Sequence, residues 1–251
     1  LQSRQYLVCR LLLEKKKLLA DKGDLAELRL VARRTWGFFE TFVTADQLHL
    51  PPDNFQEDPE PRIAHRTSPT NIGLYFLTVI SARDFGWIGD CETVDRLQAT
   101  MASARNLEHQ HGHLYNWYDT ETGKPLSPRY VSSVDSGNYV GHLLVLASFC
   151  REWRENPPTP VDPRNGLADG VGLLEQVVSE LPEKRWTGCD RAGAQAHVGA
   201  IRQGFGTLVA GPLTIQSLTA FGVKVGELVG VGGLPGTLRH VAQSLAGSVR
   251  S

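Results

Sequence analysis

The stretch TNIGLYFLTVISARDFGWIGDCETVDRLQATMASARNL, residues 70–107, predicts how the chain is organised. Its first half, residues 70–85, is apolar almost all round, which is typical of a buried helix. Its second half, residues 92–107, carries one apolar stripe with charged residues elsewhere, which is typical of a surface helix. Because only a short turn separates the two, the stretch predicts an inner helix paired with an outer one.

The regions on either side of this pair add further helices. Residues 24–43 place apolar side chains at three- and four-residue steps behind Asp24, a plausible N-cap. Residues 135–153 form a second apolar stretch of the same kind, which predicts another inner helix, and residues 167–181 form a last clear helix. A proline-rich loop over residues 50–69 excludes a regular helix there. Long loops and short turns alternate, so we predict an all-α fold of paired helices, as in an α/α barrel. An irregular helical bundle is the alternative.

The carboxyl-terminal region has a different composition. Residues 182–251 contain 13 of the chain's 25 glycines, and we expect them to form a divergent, irregular tail after an amino-terminal part at residues 1–181. The run GVGGLPG, residues 230–236, misses the dinucleotide pattern G-x-G-x-x-G because Pro235 replaces the third glycine. We therefore expect no nucleotide site.

The bulk properties exclude several classes of protein. The chain has 251 residues and a net charge of −1, and it lacks a Lys/Arg run interleaved with aromatics, so no nucleic-acid partner is expected. Its four cysteines lie far apart, which favours free thiols in a reducing compartment over a disulfide framework. No apolar run is long enough to span a bilayer and no signal peptide is recognisable, which predicts a soluble chain without direct membrane contact.

Three histidines at alternate positions, His109, His111 and His113, have the spacing of zinc ligands on a strand. They instead straddle a predicted helix end and Gly112, so we interpret them as surface histidines. We predict neither a metal site nor a cofactor.

Polar side chains collect where the long loops meet the helices. In RYVSSVDSGNYVGHLL, residues 129–144, Ser133 or Asp135 could cap a helix. One cap needs one oxygen, whereas five polar side chains occur within seven positions, so capping and ligand contact both remain open. The stretch YNWYDT, residues 115–120, has a similar ambiguity, because an aromatic loop can stack on a sugar ring or fold onto the core.

Four motifs, LPPDNFQEDP, HRTSPTNIGLY, YNWYDT and PRYVSSVDSGN, resemble the glucoamylase-like middle domain of bacterial cyclic β-1,2-glucan synthases. The resemblance covers roughly residues 30–181. It implies an (α/α)6 barrel that acts on β-1,2-glucan by retaining transglycosylation and closes a linear chain into a ring. Endo-β-1,2-glucanases share this fold.

The resemblance also implies a parent enzyme and partners. The parent is a large membrane-bound synthase, with this domain expected on the cytoplasmic side of the inner membrane. Its implied partners are β-1,2-linked glucan, the remaining half of the barrel, and the neighbouring glycosyltransferase and phosphorylase-like domains.

The family's catalytic glutamates lie in motifs such as SEAR and GISES, which this chain lacks, so its catalytic residues stay unknown. We therefore expect a fragment that carries the substrate-binding rim. The alternatives are a non-catalytic glycan-binding or vestigial domain, or an endo-β-1,2-glucanase-like hydrolase, which would need a carboxylate pair. The residues expected to contact substrate are Asp53, Asn54, Arg66, Thr67, Asn71, Trp117, Tyr118, Asp119, Ser133, Asp135 and Asn138.

Two structural expectations follow from a partial barrel. Seven of these side chains should converge on one concave face: Asp53, Arg66, Asn71, Trp117, Asp119, Asp135 and Asn138. The inner apolar faces of residues 70–85 and 140–153 should be exposed, which predicts poor solubility or association of the chain.

Overall fold

The computed structural model describes residues 22–56, 59–156, 162–186 and 190–250. The α-helices are α1 (Lys22–Phe42), α2 (Pro69–Asp84), α3 (Asp90–Asn106), α4 (Ser133–Glu155), α5 (Arg164–Glu180), α6 (Arg191–Ala210), α7 (Ile215–Gly230) and α8 (Gly236–Arg250). These bounds confirm the predicted helices and the all-α class, while the barrel arrangement stays a prediction. Asp24 lies in the first turn of α1 rather than before it. Within the described ranges, no helix combines the length and the apolar character needed to cross a bilayer.

Short strands connect the helices. The strands are β1 (Phe55–Gln56), β2 (Arg62–Ile63), β3 (Arg66–Thr67), β4 (His109–Gln110), β5 (His113–Leu114) and β6 (Tyr118–Asp119). They form three antiparallel pairs, β1 with β2, β3 with β6, and β4 with β5. The β3–β6 pair joins the proline-rich loop to the YNWYDT motif, because Arg66 pairs with Asp119 and Thr67 with Tyr118.

The chain divides into two compact units. Among the described residues, the first unit contains residues 38–56, 59–82 and 91–156. Its core is built from α2, the end of α3 and the loops around them, with Ile72, Phe76 and Tyr118 fully buried. The predicted inner helix α2 therefore lies in this core.

Helix α4 is much more exposed than helix α2. Among its described side chains Leu146 is buried, whereas Val134 is 70% exposed, Val140 54% and Leu144 42%. The prediction of a second fully buried helix is therefore wrong for this chain, because no described element covers that side of α4. The exposure of Val140 and Leu144 agrees with the expectation that the apolar face of residues 140–153 is uncovered. The same expectation for residues 70–85 is wrong for most of that helix, because Ile72, Phe76 and Ile80 are buried.

The second unit contains residues 22–37, 83–90 and the described residues from 162 onward. Here α5 packs against α6 and α8, and α7 packs against the same two helices, so that the four helices enclose one core. Leu174, Ile201 and Val225 are among its fully buried side chains.

This four-helix arrangement corrects the expectation of an irregular tail. Glycine has a low helix propensity, but here it permits close packing. A Cβ at Gly170 would lie 2.7 Å from Leu245, and a Cβ at Gly204 would lie 2.7 Å from Lys224. Polar caps at Asp190 and Thr214 start α6 and α7. Helix α5, which the sequence analysis places in the amino-terminal part, packs with these helices instead.

Candidate functional site

The polar side chains of the predicted site lie in the first unit, around β3, β6 and the N-termini of α2 and α4. At one end, the carboxylate of Asp53 accepts hydrogen bonds from Arg66 Nε at 3.1 Å and Nη2 at 2.8 Å. The guanidinium of Arg66 lies over the ring of Trp117, 4.7 Å from its centroid. Asn71 Nδ2 adds a longer contact of 3.4 Å to Asp53. The structure thus brings four predicted residues into one set of contacts.

The start of α4 contributes a second set of contacts. Ser132 is the N-cap, since its side chain accepts a hydrogen bond from the backbone N–H of Asp135 at 3.1 Å. The suggestion that Ser133 or Asp135 caps this helix is therefore wrong. With the cap supplied by Ser132, the carboxylate of Asp135 accepts a hydrogen bond from Thr70 Oγ1 at 2.6 Å. Asn138 Nδ2 lies 3.3 Å from the same hydroxyl.

Asn116 connects the two sets. The side-chain amide of Asn116 can hydrogen-bond to every neighbouring polar group when it is oriented so that its nitrogen donates to Asp135 Oδ2 at 2.9 Å. Its oxygen then accepts from Tyr130 Oη at 2.8 Å and from Trp117 Nε1 at 2.6 Å. Hydrogen bonds and ring contacts therefore run without interruption from Asp53 to Asn138.

Asp119 is adjacent to this network but serves its own turn. Its carboxylate accepts from the backbone N–H of Thr122 at 2.7 Å and of Glu121 at 3.0 Å. Burial opposes ionisation, but these backbone hydrogen bonds and that from the Thr122 hydroxyl lower the pKa of Asp119 overall. This arrangement closes the hairpin whose turn includes Gly123.

Two predicted site residues are unsuited to ligand contact. Thr67 and Tyr118 are both fully buried. They also pair with each other in the β3–β6 ladder. The Tyr118 hydroxyl donates to the carbonyl of Glu108 at 2.6 Å, and burial raises the pKa of Tyr118 to about 12. In this structure they stabilise strand β3, which carries Arg66, and strand β6, which directly follows Trp117.

The remaining predicted residues, Asn54 and Ser133, are exposed. Asn54 donates to Asp53 at 3.1 Å, whereas Ser133 is simply the first residue of α4. Four further residues complete the network and are absent from the predicted set: Thr70, Asn116, Tyr130 and Ser132. All four lie within the quoted motifs, but no residue type or spacing distinguishes them from their polar and aromatic neighbours.

The carboxylates do not form a free acid–base pair. Asp53 is paired with Arg66, Asp119 with backbone N–H groups, and Asp135 accepts from Thr70. A glycosidase needs one carboxyl group to donate a proton and a second to act as nucleophile or base. The described geometry instead fits carboxylates that orient other side chains.

The histidines of the β4–β5 hairpin and a groove at α4 lie apart from this network. His109 and His113 are exposed on the β4–β5 hairpin, and no group of three potential metal ligands occurs among the described residues. A shallow groove of about 390 Å³ lies toward the other end of α4. It is lined by Val94, Leu97, Gln98, Cys150, Trp153 and Arg154.

Together, the helices and this network define an all-α protein with a polar surface patch that includes aromatic side chains. The chain is 52% identical over 172 residues to the cyclic beta-(1,2)-glucan synthase NdvB of Rhizobium meliloti (strain 1021). The match covers 68% of this chain and 6% of that protein, so the chain spans a small part of a much longer relative. No family model matches the chain.

Proposed function

We propose that the chain is the amino-terminal part of a glucoamylase-like domain and binds β-1,2-glucan at the network between Asp53 and Asn138. One observation carries this proposal. Six of the eleven side chains that the resemblance assigns to substrate belong to one network of contacts, in a chain 52% identical over 172 residues to part of a β-1,2-glucan synthase. They are Asp53, Arg66, Asn71, Trp117, Asp135 and Asn138. In that parent context the domain would take part in retaining transglycosylation and ring closure.

The chemistry of the network suits a carbohydrate. An exposed guanidinium and amide at Arg66 and Asn138 supply donors for sugar hydroxyls, while the half-buried ring of Trp117 offers apolar surface. Buried or engaged carboxylates behind them fix these groups before the ligand arrives, which reduces the entropic cost of binding.

We further propose that this chain binds glucan without cleaving it. The observation that favours this is the engagement of Asp53, Asp119 and Asp135 by protein donors, together with the absence of the SEAR and GISES motifs. The parent's remaining barrel half would supply the catalytic glutamates.

The test is to incubate the full chain with linear β-1,2-glucan and to follow binding and product formation separately. We expect the chain to bind linear β-1,2-glucan, and linear β-1,3- and β-1,4-glucans should not displace it. The length of the glucan and the amount of cyclic product should not change. Turnover that Asp135→Asn abolishes would contradict the non-catalytic proposal. Equal binding of all three glucans would contradict the proposed specificity.

A further inference from the structure

Tyr130 and Asn116, two residues outside the predicted site, have an unusual combination of burial and contacts. The Tyr130 side chain is 49% exposed, yet its hydroxyl donates to the amide oxygen of Asn116, which is only 6% exposed. The backbone N–H of Asn116 also donates to the carbonyl of Tyr130 at 2.9 Å. Tyr130 is thus held both through its backbone carbonyl and through its hydroxyl, although its ring is exposed.

Holding an exposed ring in one orientation costs side-chain entropy and leaves apolar area in water. A ligand that stacks on the ring would recover both costs, because a preorganised side chain loses no further freedom on binding. The apolar C–H face of a pyranose ring is such a ligand, and its hydroxyls suit the neighbouring polar groups.

The nearby Trp117 ring has less face available, because Arg66 lies over it at 4.7 Å. Its indole Nε1 and the Tyr130 hydroxyl donate to the same Asn116 oxygen. One buried amide therefore sets the positions of two aromatic rings, and its nitrogen holds Asp135 as well.

We infer that Tyr130 contacts the sugar directly and that Asn116 is the positioning residue that fixes Tyr130 relative to Trp117 and Asp135. This inference rests on the proposed function, since it assigns further roles within the same site. It adds a stacking surface that the sequence motifs did not indicate.

The test is calorimetric titration of linear β-1,2-glucan into the full chain and its variants. Tyr130→Ala removes the ring and should weaken binding roughly tenfold, whereas Tyr130→Phe keeps the ring without its tether and should weaken it roughly threefold. Asn116→Asp replaces the donor that faces Asp135 by a carboxylate, and binding should fall at least as far as in Tyr130→Ala. Asn106→Asp, the same change at an exposed helix end, is the matched control and should bind like the wild type.

A positioning role also predicts a signature in the free protein. The indole N–H resonance of Trp117, identified by its loss in Trp117→Phe, should shift in Tyr130→Phe and Asn116→Asp but not in Asn106→Asp. Tyr130→Phe keeps this test valid if Asn116→Asp fails to fold. Wild-type affinity in Tyr130→Ala, or an unmoved resonance in Tyr130→Phe, would overturn the inference and leave the proposed function intact. If the wild type itself does not bind the glucan, the proposed function fails.

Discussion

Asp135 has both carboxylate oxygens occupied by protein donors, Thr70 on one side and Asn116 on the other. It also lies in the first turn of α4, where the helix dipole stabilises a negative charge. We therefore propose that Asp135 orients its neighbours and does not transfer protons.

Asp135→Asn should therefore weaken glucan binding without abolishing it. The amide can still accept from Thr70, but its nitrogen faces the donor of Asn116, so one charge-assisted hydrogen bond is lost. We expect about a tenfold loss of affinity, corresponding to about 1.4 kcal/mol, measured by calorimetry. Asp95→Asn, at an exposed position of α3, is the matched control. Unchanged affinity in Asp135→Asn would show that Asp135 does not orient the site.

Asp119 gives a prediction about pH. Its pKa is lowered in the folded state by hydrogen bonds within its turn, so its charge favours folding at pH values above the unfolded pKa. This contribution should disappear as the pH falls through the folded pKa. We expect the wild type to be more stable than Asp119→Asn at pH 7, with the difference in unfolding free energy shrinking between about pH 5 and pH 2. A difference independent of pH would contradict this account of the turn.

At the scale of elements, the packing of α2 on α4 depends on the absence of a side chain at Gly73. A Cβ there would lie 2.3 Å from Nδ1 and 2.9 Å from Cβ of His142. Burial lowers the pKa of His142, in keeping with its position at this contact. The two helix N-termini that carry Thr70 and Asp135 are held together in part by this approach.

Gly73→Ala should accordingly destabilise the first unit. Because the imidazole must move, we expect a loss of about 1–3 kcal/mol in unfolding free energy by chemical denaturation. Gly141→Ala, on the same helix pair but with open space around the new Cβ, should instead stabilise α4 by about 0.5–1 kcal/mol. Equal effects of the two substitutions would show that helix propensity, and not packing, dominates.

The elements also show what sequence could predict. Helices α1 and α3 follow from apolar periodicity, whereas α2 and α4 follow from sustained apolar composition, because each has enough residues to show its pattern. The two-residue strands β3 and β6 are too short for any periodic pattern, so the burial of Thr67 and Tyr118 could not be foreseen. Helices α6 to α8 were missed because glycine lowers helix propensity, whereas here it permits close contacts between helices.

At the scale of the whole molecule, a buried ion pair connects distant segments of the second unit. Asp169, which is 6% exposed, accepts from Arg29 at 2.6 and 2.8 Å and from Trp87 Nε1 at 2.8 Å. These three residues come from the three stretches of chain that compose the unit.

Asp169→Ala should therefore destabilise the second unit strongly. It leaves the guanidinium of Arg29 and the indole N–H of Trp87 without their acceptor, which typically costs about 3–5 kcal/mol for a buried pair. Urea unfolding followed by tryptophan fluorescence measures this loss. Arg202→Ala, which removes an exposed pair with Glu175, serves as the control and should unfold close to the wild type. An Asp169→Ala protein as stable as the wild type would contradict the structural role of this ion pair.

The exposed side of α4 predicts association of the chain. Val140 and Leu144 lie one turn apart and are both more than 40% exposed, so their burial between molecules is favourable. Sedimentation velocity should show concentration-dependent association that Val140→Lys with Leu144→Lys reduces. A monomer at all concentrations would show that this surface is too small to drive association.

We propose that the contacts joining Asp53, Arg66 and Trp117 to Asp135 form a site for β-1,2-glucan. Calorimetric titration of linear β-1,2-glucan into the wild type and into Arg66→Ala is the decisive measurement, since Arg66 links the carboxylate of Asp53 to the indole ring of Trp117. We predict saturable binding by the wild type and at least a tenfold weaker affinity in Arg66→Ala. Circular dichroism should show that both proteins are folded. Equal affinity of the two proteins, or no binding by the wild type, would contradict this proposal.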